Sequence, residues 1–211
     1  MPQPARRQVS AKNVRRELLP EQSAELLKAL HLLTRDGRLN ADTLRKLKQV
    51  NHLVGLLTPA LDDVQQRFGA PIVVDVGSGN AYLGFVLYEL FMKEKGEVVS
   101  VESRADLSAK ATERAKALSF SRMKFETGAI AAAAVPERIH LLTALHACDT
   151  ATDDAIAVAL KHNADHVALV PCCQAEVAQQ LKDAKGSPLH VLFEHGIHRR
   201  EFGSHLTNVI R

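Results

Sequence analysis

The chain has 211 residues, 46% hydrophobic and 24% charged, which is enough apolar material for one domain with a true core plus an appendage. Trp is absent and only 2 Tyr occur, which argues against a base-stacking surface built on many aromatics. The net charge of +3 is unevenly placed: residues 1–50 hold 11 Lys/Arg against 5 Asp/Glu, and the rest of the chain is slightly acidic.

Arg6, Arg7, Lys12, Arg15 and Arg16 make the first residues a basic arm, read either as a solvated terminus or as a contact for phosphates. Leu26, Leu27, Leu30 and Leu33 recur at helical spacing after Pro20. Asn40 is placed to cap a second helix carrying Leu44, Leu47, Val54 and Leu57. Pro59 is expected to begin a further short helix with Leu61, Val64 and Phe68 inward.

From residue 71 the rhythm changes. Ile72–Val76 reads as a strand buried on both faces, followed by a helix with Leu83, Val86, Leu87, Leu90 and Phe91. Glu97–Val101 is a second strand, Ala105–Leu118 a helix and Met123–Glu126 a weaker strand. Ala131–Ala134 is a short helical turn and Ile139–Leu145 a strong strand. Thr152–Lys161 is a helix, His166–Val170 another buried strand, and Gln174–Lys182 a helix before the Ser187–Pro188 break. His198–Ile210 closes the series as a helix with Phe202, Leu206, Val209 and Ile210 on one face. Strands alternating with helices imply an α/β, Rossmann-like parallel sheet with helices on both faces. Residues 1–68 are read as a basic arm and helical subdomain, and 69–211 as the sheet domain.

The loop Asp75-Val76-Gly77-Ser78-Gly79-Asn80 ends the first strand. Glycine there lets the backbone turn sharply and approach a ligand. Glu102, with Ser103, follows at the end of the second strand, where a carboxylate can accept from two ribose hydroxyls. A dinucleotide fingerprint wants a third glycine three residues after the second, and Tyr82 stands there instead. S-adenosylmethionine has no phosphate to crowd, and Asp75 suits its cationic end. A methyltransferase is therefore favoured over a dinucleotide enzyme. Ala129 and Ile130, beyond the third strand, are placed to flank an adenine ring.

At the end of the fourth strand stand His146, Cys148 and Asp149, and at the fifth Cys172 and Cys173. The segment His146-Ala147-Cys148-Asp149-Thr150-Ala151-Thr152-Asp153 resembles the H-x-C-G-x-A-T-D motif of a eukaryotic tRNA ribose 2′-O-methyltransferase family. Ala168-Leu169-Val170-Pro171-Cys172-Cys173 resembles its later A-L-x-C-C segment. The likeness spans roughly residues 45–175 and extends to uncharacterised bacterial methyltransferase-domain proteins. It implies a class I methyltransferase fold, S-adenosyl-L-methionine as cofactor and a macromolecular acceptor, RNA favoured. Asp149 stands where the tRNA enzymes have Gly, Pro171 precedes the cysteine pair, and no zinc-finger arrangement is seen, so the acceptor does not transfer with the fold.

Asp149 or His146 can serve as a base toward a hydroxyl acceptor, and Cys148 as a nucleophile if its thiol pKa is lowered. The plainer reading makes the cysteines packing residues. His146 with the three Cys would form a zinc ligand set, but the adjacent pair diverges in extended backbone, and no metal is expected. His190, His195, His198 and His205 read as a solvated surface group. Domains of this type usually continue with two more strands, so a truncated chain is expected. The fifth strand would then lie at an open edge, inviting a second copy as a homodimer unless the N-terminal helices cover it. The rival functional reading is a non-catalytic module that binds cofactor or RNA without turnover. The three Cys, without a secretion signal, fit a reduced, cytoplasmic setting, and no apolar run is long enough for a membrane.

Overall fold

The computed structural model describes residues 16–34, 36–145, 147, 149–171, 176–183, 186, 188 and 190–210. Most of the basic arm lies outside the described residues. Two helices come first, α1 (Ala24–Ala29) and α2 (Ala41–Arg67). The sheet region then runs β1 (Ile72–Val76), α3 (Tyr82–Leu87, widening into a π turn over Tyr88–Met92), β2 (Glu97–Glu102), α4 (Ala105–Ala117) and β3 (Met123–Thr127). A 3-10 turn (Ile130–Ala132) leads to β4 (Leu141–Ala144), α5 (Thr150–Lys161) and β5 (His166–Leu169). Three further helices follow: α6 (Glu176–Gln180), α7 (His190–Glu194) and α8 (Gly196–Ile210).

Among the described residues five strands, all parallel, run in the order β3-β2-β1-β4-β5. The order reverses between β1 and β4, and a crevice opens beyond the carboxyl ends of the strands at such a point. The β-branched runs Val73–Val74 and Val98–Val99 are buried on both faces, as a sheet sandwiched between helices requires. Alternation then sorts the side chains. Val73, Val98 and Leu141 join α1, α2, α3 and α4 in one core, whereas Val74, Val99 and Leu142 join α5 in the other. Leucines of the N-terminal helices thus share a core with the sheet. No helix among the described residues is long and apolar enough to cross a membrane.

Asn40 caps α2 as its sequence position foretells. Its Oδ1 accepts from the Thr43 N–H at 2.9 Å, and the Thr43 hydroxyl oxygen accepts from the Asn40 N–H at 2.9 Å. The helix expected to begin at Pro59 is instead the second half of α2, with Pro59 inside it. The proline removes one backbone donor, but Leu57, Leu61 and Val64 prolong the buried stripe of Leu47 and Val54, and packing outweighs the missing bond. At its end α2 is tied to the far edge of the sheet. Arg67 bridges Asp63 and Asp165, each at 2.8 Å, and His166 Nε2 lies 2.8 Å from Asp63.

Two other expectations change. β5 is not buried on both faces: it pairs only with β4 among the described strands, and Val167 is 46% exposed. In α8 the inward residues are Gly203 and Thr207, not the apolar set read from the sequence, and Val209 is 81% exposed. The helix docks by close approach: a Cβ on Gly203 would come within 2.6 Å of Ala178 on α6, so small size rather than apolar bulk selects this face.

The turn into β2 depends on Gly96. Its φ of +102° is closed to most L-residues, and a Cβ there would meet the Pro71 carbonyl at 2.7 Å and Met92 Sδ at 2.6 Å. Gly96→Ala is expected to lower unfolding free energy by about 2 kcal/mol or more through combined strain and overpacking. Urea denaturation checks this, and a cost near zero would refute it.

Candidate functional site

The loop after β1 is shaped by three consecutive needs. Gly77 and Gly79 take φ of +63° and +58°, and Ala81, at φ +56°, starts α3 from the left-handed region. The Ser78 N–H donates to the Val101 carbonyl at 3.0 Å, which pins the loop to β2. The Gly79 N–H donates to Glu102 Oε2 at 2.7 Å. A bond from a backbone N–H to a carboxylate is charge-assisted and short, so the loop and the acid read from the sequence are one bonded unit.

Glu102 is 6% exposed. Its Oε1 accepts from the Arg104 N–H and Nε–H, both at 3.0 Å, and from the Ser103 hydroxyl at 3.3 Å. Burial pushes this carboxyl up, but the bonds from Arg104 and Gly79 and the Arg104 charge outweigh it, and the net shift is downward. Glu102 therefore stays a carboxylate, and Oε2, with one donor, keeps capacity for another.

Asp75 is 2% exposed and lies on the opposite side of the loop. In the register it stands beside Ser100 on β2 and Thr143 on β4, so a polar row crosses the sheet. Asp75 Oδ1 accepts from the Thr143 hydroxyl at 2.8 Å. Among the described residues Ser100 Oγ has no hydrogen-bond partner. Burial pushes the Asp75 carboxyl up to about 7, only partly offset by hydrogen bonds from Thr143 and the Gly84 backbone. Gly84 keeps α3 close to this row: a Cβ there would come within 2.7 Å of Ser100 Oγ.

Two chambers flank the loop. The larger, about 720 Å³, is lined by Gly77, Ser78, Gly79, Asn80, Glu102, Ser103, Ala129 and Ile130, together with Arg104, Gly128, Ala151 and Asp154. Its volume falls in the roughly 300–1,000 Å³ span of small-molecule sites. The smaller, about 250 Å³, lies between Asp75, Gly77, Ser78 and Leu145 on one side and Gln49, Val50 and Leu53 of α2 on the other. Tyr82 lines both chambers, and burial pushes its phenol pKa up. Every loop residue read as cofactor-binding thus borders a chamber.

The second group fares differently. His146 and Cys148 lie outside the described residues, as do Cys172 and Cys173. Asp149 lines neither chamber, and its Oδ1 accepts from the Glu176 N–H at 3.3 Å at the start of α6. Its backbone takes φ +55°, ψ −130°, a region natural to glycine, where the resembled motif has Gly. The four histidines His190, His195, His198 and His205 are exposed, and His190 Nε2 lies 3.5 Å from Glu194. Sequence reading missed Arg104, Tyr82, Asp154 and the α2 wall. Only Arg104, two residues past Glu102, had a local signal.

Two unlike carboxyls thus flank a glycine turn at the switch point of a parallel sheet, each bordering a chamber. A family model for a methyltransferase domain matches residues 45–180, and the chain belongs to that family. No curated protein matches the chain. Similar solved structures include a SAM-dependent methyltransferase from Aquifex aeolicus, 18% identical over 56% of this chain and 66% of that one, TM-score 0.38. Another is an rRNA methylase from Streptococcus thermophilus, 17% identical over 49% and 61%, TM-score 0.39. A protein-L-isoaspartate O-methyltransferase is 24% identical over 43% of this chain and 28% of its own length, TM-score 0.36. The chain thus spans between about a quarter and two thirds of the solved structures named here.

The Asp75 proton is held more tightly in the folded chain than in the unfolded one. Its stabilisation is complete below about pH 4 and is lost as pH rises through about 7. Asp75→Asn keeps an acceptor without charge, so it is expected to stabilise the free protein by at least about 1 kcal/mol near pH 8 and by much less near pH 5. Equal effects at the two values in urea titrations would refute the buried-charge account. Asp149→Gly relieves positive-φ strain and is expected to gain about 1 kcal/mol after the added entropy of the unfolded chain. A destabilised variant would show that the bond to Glu176 outweighs the strain.

Proposed function

We propose that this chain is an S-adenosylmethionine-dependent methyltransferase acting on RNA. The observation that carries the cofactor is the Glu102 carboxylate, held ionised at the floor of a nucleoside-sized chamber, with buried Asp75 bordering a second chamber one loop away. The residues present fit the group. Glu102 is the acceptor for ribose hydroxyls, and Asp75 supplies the negative charge for an ammonium. The chamber's carboxylates, Glu102 and Asp154, disfavour a pyrophosphate. When bound, S-adenosylmethionine supplies a methyl group on a sulfonium, ready for transfer to a nucleophile. The chain's own part is to orient it: the glycine turn admits close backbone approach, and Val50 and Leu53 of α2 exclude water from the smaller chamber.

RNA as acceptor is favoured by the charge on α2. Arg45 and Lys48 stand one turn apart among its exposed residues, Lys48 next in sequence to Gln49 of the smaller chamber, and exposed cations of this kind suit phosphates. Asp149 and His146 remain candidates for the base that takes the acceptor's proton, and Cys148 for a nucleophile.

Calorimetric titration with S-adenosylhomocysteine tests the cofactor. The wild type is expected to bind, and Glu102→Gln to bind roughly tenfold or more weakly, as loss of a charged acceptor implies. No binding by the folded wild type would overturn the cofactor assignment. Labelled methyl transfer into a bulk RNA pool, beside a protein extract, tests the acceptor. Label in protein alone would overturn RNA, and binding without turnover in either pool would favour the non-catalytic module.

A further inference from the structure

We infer that Asp154 on α5 reads the exocyclic amine of the cofactor's adenine, so that the larger chamber selects its base by a carboxylate on the helix after β4. The inference rests on the cofactor reading above and extends it to base selection.

Three observations lead there. First, an adenine amine is a donor and needs an acceptor that other bonds have not consumed. Glu102 already takes four donors, from Gly79, Ser103 and twice from Arg104, and the capacity left on its Oε2 is assigned above to the ribose hydroxyls. Second, the loop beyond β3 offers no acceptor side chain. Gly128, Ala129 and Ile130 carry none, and the Ala129 and Ile130 carbonyls already accept from the N–H groups of Ala132 at 3.0 Å and Ala133 at 3.3 Å. Third, α5 presents Ala151 and Asp154, one turn apart, to the same chamber. Ala151 packs with Ile130 in the core on that face, so the apolar lining for a flat ring ends at the Asp154 carboxyl. Asp154 is half-buried and has no hydrogen bond or ion pair among the described residues, unlike its neighbour Asp153. Ala155 and Val158 hold the inner face of α5 in the core, which sets the helix face that Asp154 occupies.

The chemistry predicts a sharp preference. An amine donates to a carboxylate, whereas the carbonyl of the 6-oxo analogue would meet it with like partial charge. The test is calorimetry with S-adenosylhomocysteine and S-inosylhomocysteine on the wild type, Asp154→Ala and Asp154→Asn. The wild type is expected to favour the adenosyl compound by roughly tenfold or more, as for a hydrogen bond to a charged group. Asp154→Ala should bring the ratio close to one. Asp154→Asn, which can donate to a carbonyl as well as accept from an amine, should also narrow it while keeping affinity for the inosyl compound. A purely structural role would weaken both ligands alike, so an unchanged ratio in folded Asp154→Ala overturns the inference and leaves the cofactor reading intact. Failure of the wild type to bind either compound overturns both.

Discussion

The hydrogen bond between the Thr143 hydroxyl and the Asp75 carboxyl joins β4 to β1 at the place where the strand order turns back. Everything else in the site is referred to that seam. A carboxyl in the middle of a parallel sheet is an expensive thing to bury, and here it is tolerated by sharing its load with Thr143 and the Gly84 backbone. α3 sits close against the same row, where a Cβ at position 84 would come within 2.7 Å of Ser100 Oγ. A negative charge at this one residue is therefore a burden to the fold.

Across the loop the electrostatics run the other way. Glu102 is little exposed but less desolvated than Asp75, and it stays ionised because Arg104 and two backbone N–H groups surround it. Two carboxyls a few residues apart in space thus have opposite protonation tendencies, set by what donates to them and not by burial alone.

Much of this was readable before any coordinates. β-branched runs such as Ile72–Val76 and Glu97–Val101, the glycine turn and the acid at 102 all follow local rules, and each lands where those rules put it. The failures share a cause. Pro59 looked like a helix start because a local breaker was judged without the stripe of Leu57, Leu61 and Val64 that carries α2 through it. α8 looked amphipathic toward its bulky residues because nothing local says that Ala178 waits for a small partner at Gly203. Asp154 gives no local sign of its place, since its chamber is assembled from distant segments. Tertiary contact, absent from any window of sequence, decided each case.

α2 serves as both beam and wall. Leu47, Val54 and Leu57 lie in the main core, while Val50 and Leu53 from the same turns border the smaller chamber. Its last turn is clamped through Arg67 to Asp165 at the base of the sheet. Because the same turns serve core and chamber, a displacement of α2 that enlarged the smaller chamber would open the core as well, so the shape of that chamber is tied to the cohesion of the domain around it.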